Sequence, residues 1–188
     1  MTRTAPFPDQ LRAYAPSDGA EAAHQAEMVS LLTNAGEPFS RSHFEPGHFT
    51  ASYYIIDDAG RILLHHHRRL DRWLQMGGYV ETGESPDRAA LREAVEESGL
   101  ADVELASDGI FDLDIHPIPA GKGEPDHRHY DVRYLARTAT PQAIAMDRAE
   151  SNALAWVTLD RAAELMHGPE SHRVLRKIAH WLRERSDR

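Results

Sequence analysis

Four glutamates and an arginine, Glu84, Arg92, Glu93, Glu96 and Glu97, fall within the short segment GYVETGESPDRAALREAVEESGL between Gly78 and Leu100. Carboxylates at that density suit a hard cation. Like charges three or four residues apart on a helix destabilise it by roughly 0.2 to 0.5 kcal/mol per pair, so a cluster of them needs a neighbouring positive charge. Carboxylate oxygens suit Mg²⁺ or Mn²⁺, and Mg²⁺ keeps positions open for water and substrate phosphates. Taken alone, EAVEES reads first as a solvated acidic helix face. The element that must carry these groups is marked at both ends. Ser85 is a good N-cap, Pro86 suits the first helical position and Gly99 supplies a left-handed exit, which predicts a helix from Pro86 to Ser98. At about 100° per residue, Ala90, Leu91, Ala94 and Val95 are expected to pack, with Glu93, Glu96 and Glu97 on the far side.

The longer spacing decides between a solvated face and a cation site. Gly78, five residues, Glu84, seven residues, then Arg92-Glu93-Ala94-Val95-Glu96-Glu97-Ser98-Gly99-Leu100 resembles the signature box of the Nudix hydrolases, with Ala94 where the pattern has a bulkier aliphatic. Seven fixed identities have a chance probability on the order of 10⁻⁶ at average residue frequencies, which removes coincidence as a competitor. The preceding Trp73-Leu74-Gln75-Met76-Gly77-Gly78 is similar to the family's approach to the box, with Met76 in place of a proline. The resemblance covers roughly residues 49–166 and implies an α/β fold, an α/β/α sandwich with a mixed β-sheet. It implies hydrolysis of a diphosphate linkage in a nucleoside diphosphate derivative or nucleotide with Mg²⁺ or Mn²⁺. By resemblance the metal shell is Glu93, Glu96, Glu97 and the Gly77 carbonyl, with Glu84 as a supporting or water-bridged ligand. Arg92 is expected to orient Glu93 or a neighbour by a charge-assisted hydrogen bond. Glu97, Glu96 and Glu150 remain open as the general base, Glu150 because it stands a few residues before the strand holding Trp156.

The elements that must hold this segment are legible in part. Residues 49–56 and 61–67 are rich in β-formers and flank the turn signal Asp57-Asp58-Ala59-Gly60, which predicts two paired strands. His65, His66 and His67 cannot converge on one ion, because successive strand residues point to opposite faces. Arg68, Arg69 and Arg72 follow, and Arg68 and Arg72 are candidates for substrate phosphates, with plain surface exposure as the alternative. Residues 110–116 and 127–137 alternate strictly. If they pair across the loop PIPAGKGEPD, their polar faces bring His116, His127 and His129 together with Asp112, Asp114 and Asp131. Such a face either lines a cavity or is a solvated outer strand surface. In the first case His116, His127, His129 and Asp131 contact substrate or an accessory metal.

Around this core, residues 1–16 with Pro6, Pro8 and Pro16 read as an extended arm, and Asp18 with Glu21 resembles a capping box that opens a helix. Residues 37–48 read as a linker, 154–157 as a strand, 160–166 as a short helix, and the segment from Ser171 as a last helix. Its apolar stripe is Val174, Leu175, Ile178, Trp181 and Leu182, with Arg173, Arg176, Lys177 and Arg183 mostly opposite. The expected organisation is an N-terminal arm and helix (1–48), a catalytic domain (49–166) and a packed C-terminal helix (167–188). A length of 188 residues with 41% hydrophobic content supports one core. A net charge of −9 argues against a dedicated nucleic-acid binder, and zero cysteines exclude a disulfide scaffold, thiolate zinc and a thiol nucleophile. The absence of cysteine also sets aside the isomerase branch of the family, which relies on one. A cytoplasmic protein acting on a small molecule is expected, with no membrane span and with a homodimer compatible. The alternatives are a ligand-binding regulatory module without hydrolysis and an RNA 5′-end pyrophosphohydrolase.

Overall fold

Two runs of β-forming residues begin the sheet. β1 (Gly47–Ile56) and β2 (Ile62–His67) pair antiparallel, Ile55 opposite Leu63, across a turn that Asp57 closes by accepting from the Ala59 and Arg61 amides and the Arg61 guanidinium. β3 (Arg72–Leu74) and β8 (Ser151–Val157) pair antiparallel with β2, while β4 (Met76–Tyr79) pairs with β1. β6 (Asp112–Ile118) and the two-residue β5 (Glu104–Leu105) both lie antiparallel to β7 (His127–Arg137). β1 and β7 are neighbours and run the same way, since Thr50 and Ser52 meet Asp131 and the Ile56 carbonyl accepts from the Thr138 amide. A parallel pair beside antiparallel ones makes the sheet mixed. The computed structural model describes residues 5–121, 123–146 and 151–186.

The chain forms two compact units: Met1–Ser52 with Gly77–Ala90 and Ser107–Tyr134, and Tyr53–Met76 with Leu91–Ala106 and Leu135–Arg188. In the first unit the expected extended arm is instead a helix, α1 (Phe7–Ala13), with Phe7 and Leu11 buried. Pro6 and Pro8 sit at its start, where proline costs no intrahelical hydrogen bond, so they initiate the helix instead of breaking it. Phe7, Phe39, Phe49 and Tyr130 then form a chain of ring contacts 5.1 to 6.0 Å apart. α2 (Gly19–Asn34) opens on Asp18, whose carboxylate accepts from the Glu21 amide. The Glu21 side chain is fully buried, accepts from Tyr14 and the Ser17 amide, and reaches the Leu113 amide of β6 at 3.2 Å. The Tyr14 hydroxyl lies 2.9 Å from the Phe111 carbonyl, and His24 Nδ1 lies 3.2 Å from the Leu113 carbonyl.

In the second unit, α4 (Leu159–Leu165) and α5 (Pro169–Ser186) pack together, with Ala162, Met166, Val174, Leu175 and Ile178 buried. Arg173 is buried as well, at 3% exposure, so the polar side of α5 is narrower than its charge pattern predicts. No described helix is long and apolar enough to cross a membrane.

Candidate active site

The box helix, α3, spans Pro86–Ser98 as its end signals predict, and Gly99 leaves it at a φ of +72° with its amide on the Val95 carbonyl. Its buried arc, however, is rotated from the expected one. Leu91 and Val95 are exposed, at 38% and 36%, whereas Ala89, Ala90, Ala94, Glu97 and Ser98 are buried. At about 100° per residue Glu97 lies near the middle of that arc, beside Ala90 and Ala94. Hydrophobicity alone picked the wrong side. Small alanines face inward, while a leucine and a valine are left on the surface.

Glu97 is 3% exposed and its Oε1 is 3.9 Å from Nδ1 of His65, which is 2.8 Å from Ser151 Oγ. Burial pushes His65 down to about 4, helped by the neighbouring His67 and His66, so the imidazole is neutral at pH 7 and the contact is no ion pair. Glu93 is half-buried and takes a hydrogen bond from Arg92 at 2.8 Å, and the same Arg92 nitrogen is 3.4 Å from a Glu96 oxygen. One guanidinium thus spans two of the clustered carboxylates. Arg68 and Arg72 are exposed on and beside the turn between β2 and β3. His66 faces Trp73 and Asp71, away from the His65 and His67 side, as strand alternation requires. Glu150 lies outside the described residues.

Gly77 and Glu84 belong to the other unit. A Cβ at Gly77 would collide with Ser52 and stand 2.7 Å from the Ala51 carbonyl, so β4 can lie on β1 only because that residue is glycine. Glu84 folds back on its own turn, with its carboxylate 3.3 Å from the Glu81 amide.

The paired polar face of β6 and β7 is a buried network. Asp112 stands opposite Arg133, Asp114 opposite Asp131, and His116 opposite His129. Arg133 donates to all three carboxylates, at 3.3 Å to Asp112, 2.8 Å to Asp114 and 2.9 Å to Asp131, and all four side chains are buried. Asp131 also accepts from Thr50 and Ser52. Burial works against a charged Asp114, yet the Arg133 guanidinium, with His116 and His24, holds its carboxyl well below the usual range.

Next to this network, His127 and His129 bring their Nε2 atoms to 3.3 Å. A third histidine joins them: one ring nitrogen each of His48, His127 and His129 lie within 4.8 Å of one another. His48 is fully buried, and its Nε2 has no hydrogen-bond partner. An unsatisfied buried acceptor costs about 1–3 kcal/mol. The expected linker over 37–48 therefore ends in a site residue, because His48 is already strand. The signal was present as the alternation His48-Phe49-Thr50-Ala51-Ser52, whose polar members continue the β6–β7 face. His116 stands 5.6 Å from the His129 ring, with its Nδ1 committed to Asp114 at 2.9 Å.

The NUDIX domain model matches residues 46–178. Among solved structures, the chain is similar to a Caenorhabditis elegans Ap4A hydrolase in a binary complex, at 22% identity over 72% of this chain and 98% of that one, with a TM-score of 0.60. It is similar to a NUDIX-family hydrolase from Clostridium perfringens at 27% identity, over 70% of this chain and 96% of that one, with a TM-score of 0.54. The Escherichia coli dihydroneopterin triphosphate pyrophosphohydrolase is similar at 19% identity, over 69% and 92%, with a TM-score of 0.54.

Proposed function

Since the chain belongs to the Nudix family, we propose that it hydrolyses the diphosphate linkage of a nucleoside diphosphate derivative or nucleotide by attack of water on phosphorus, with a divalent metal. The family fold, an α/β/α sandwich with a mixed sheet, and the class of pyrophosphohydrolase come with membership. Metal, substrate and residue roles are the proposal.

The donor set fits Mg²⁺ or Mn²⁺, being carboxylate oxygen throughout, and Glu93, Glu96 and Glu97 would hold the ion. Bound there, it would polarise phosphoryl oxygens, stabilise the leaving phosphate and lower the pKa of water. Arg92 fixes the orientation of Glu93 through the 2.8 Å hydrogen bond. His65, neutral and buried, positions Glu97 without neutralising it. Arg68 and Arg72 offset the charge of an anionic substrate from the exposed turn between β2 and β3. Glu97 or Glu96 takes the proton of the attacking water, with Glu150 a third candidate.

The observation that carries this reading is the carboxylate cluster of one short helix, in which Glu93 and Glu96 share the Arg92 guanidinium at 2.8 and 3.4 Å and Glu97 stands one residue on. The test is a panel of nucleoside diphosphate derivatives and nucleotides, with Ap4A and dihydroneopterin triphosphate included because of the similar enzymes, assayed with Mg²⁺ or Mn²⁺. Phosphorus NMR identifies products, and ¹⁸O-water should appear on one product phosphate. Label in a product carbon–oxygen bond would refute attack on phosphorus, and failure of every compound would favour a binding module.

A further inference from the structure

We propose that His48, His127 and His129 form a second metal site, which takes a borderline transition-metal ion such as Zn²⁺ and is chemically distinct from the carboxylate cluster. Each of two rings is oriented through the nitrogen that does not face the cluster. Nδ1 of His127 lies 2.8 Å from the Pro125 carbonyl and Nδ1 of His48 lies 3.3 Å from the His43 carbonyl. A carbonyl only accepts, so both Nδ1 atoms carry the hydrogen, and in the neutral ring Nε2 then carries a lone pair. Metal-bound histidines are held in this way by their outer nitrogen.

The spacing agrees. Two imidazole nitrogens on a tetrahedral ion with bonds of about 2.0–2.1 Å stand about 3.3–3.4 Å apart. Nε2 of His127 and Nε2 of His129 are 3.3 Å apart, and the buried, unpartnered Nε2 of His48 supplies the third donor. A hydrogen bond between His127 and His129 would satisfy those two rings and still leave His48 unsatisfied, whereas an ion satisfies all three. Neutral imidazoles favour Zn²⁺, Co²⁺ or Ni²⁺ over Mg²⁺, which prefers oxygen. Phe44 and Tyr79 flank the cluster with ring centroids 5.1 Å from His127 and 5.5 Å from His48. His127 also borders a surface depression of about 420 Å³, together with Phe44, Pro46 and Ile118. Three protein ligands leave a fourth position for water or an anion.

The test uses the full chain without a purification tag, stripped by chelator and titrated with Zn²⁺ and separately with Co²⁺ in the presence of excess Mg²⁺. One equivalent should bind, Co²⁺ should give the intense visible absorption of a tetrahedral complex, and Zn²⁺ should raise the unfolding temperature. His48→Gln, His127→Gln and His129→Gln should each weaken Zn²⁺ binding by more than about 100-fold, since even outer partners of a ligand are worth about 10–100-fold. His66→Gln and Glu97→Gln should leave it unchanged, and the latter separates this site from the carboxylate cluster. Absence of a bound equivalent in the parent chain, displacement by Mg²⁺, or loss of binding in Glu97→Gln with retention in His48→Gln would each overturn the proposal.

Discussion

Replacing Arg133 with methionine tests the buried network most directly. The guanidinium makes contacts of 2.8 to 3.3 Å to Asp114, Asp131 and Asp112, and all four side chains are at most 5% exposed. Removing one partner of a single buried ion pair costs about 3–5 kcal/mol, because the remaining charge is left uncompensated. Three carboxylates share this cation, so a loss of about 3–5 kcal/mol is expected at pH 7. At about 2–4 °C per kcal/mol for a chain of this size, the unfolding temperature should fall by about 6–20 °C. The sign with pH follows from Asp114. Its folded pKa lies below the unfolded value of about 3.9, so its contribution to stability is present above that value and is lost only as pH falls through the depressed one. In Arg133→Met, burial is no longer opposed by the guanidinium and raises the Asp114 carboxyl, which costs stability at neutral pH and less as pH falls through the raised value. Urea unfolding of both proteins at pH 7 and at pH 5 should therefore show the gap narrowing in acid. A loss under about 1 kcal/mol at pH 7, or a gap that widens in acid, would refute the assignment of Arg133 as the neutralising charge.

Glu97→Gln should lower turnover by about 10²–10⁴-fold, the range for a positioned acid–base group, with an unchanged circular dichroism spectrum; undiminished metal-dependent turnover would remove Glu97 from the mechanism. Arg92→Ala should cut turnover by about 10–100-fold and raise the Mg²⁺ concentration needed for half activity, as loss of a group orienting a ligand does. An unchanged Mg²⁺ requirement would make Arg92 a surface residue only. Gly99→Ala should destabilise the fold by more than about 1 kcal/mol in urea titrations, because φ is +72° and the added methyl would meet Ala145 Cβ at 2.6 Å.

The sequence carries the box helix almost completely, because its boundaries rest on local chemistry: a proline start and a glycine exit need no tertiary context. The β6–β7 pairing was legible as well, since two strict alternations flanking one loop can pair with their apolar faces together. What failed was anything set by packing partners. Leu91 and Val95 outrank Ala89 and Ala94 in hydrophobicity, yet the small residues and Glu97 face inward, a choice made by the surface they meet. Pro6 and Pro8 read as an extended arm because the aromatic cluster that Phe7 joins is assembled from distant residues. His48 was hidden by its neighbours Pro46 and Gly47, which mark a turn right up to the strand's first residues. Arg133 was visible as one polar residue of its strand, but its pairing with three aspartates depends on two chain segments meeting. β3, β4 and β5 are too short to show a period.

β6 is hydrogen-bonded to β7 alone among the described strands, and a bare margin of this kind is a template for pairing with another chain. Here the carboxylate of Glu21 occupies the Leu113 amide, while Tyr14 and His24 reach the Phe111 and Leu113 carbonyls, so side chains from the N-terminal segment stand in for the missing neighbour. Helix α2 and the residues before it thus guard against strand-by-strand polymerisation as well as completing the fold. A protein trimmed to begin at residue 46, where the family model starts, would bare that margin and should self-associate.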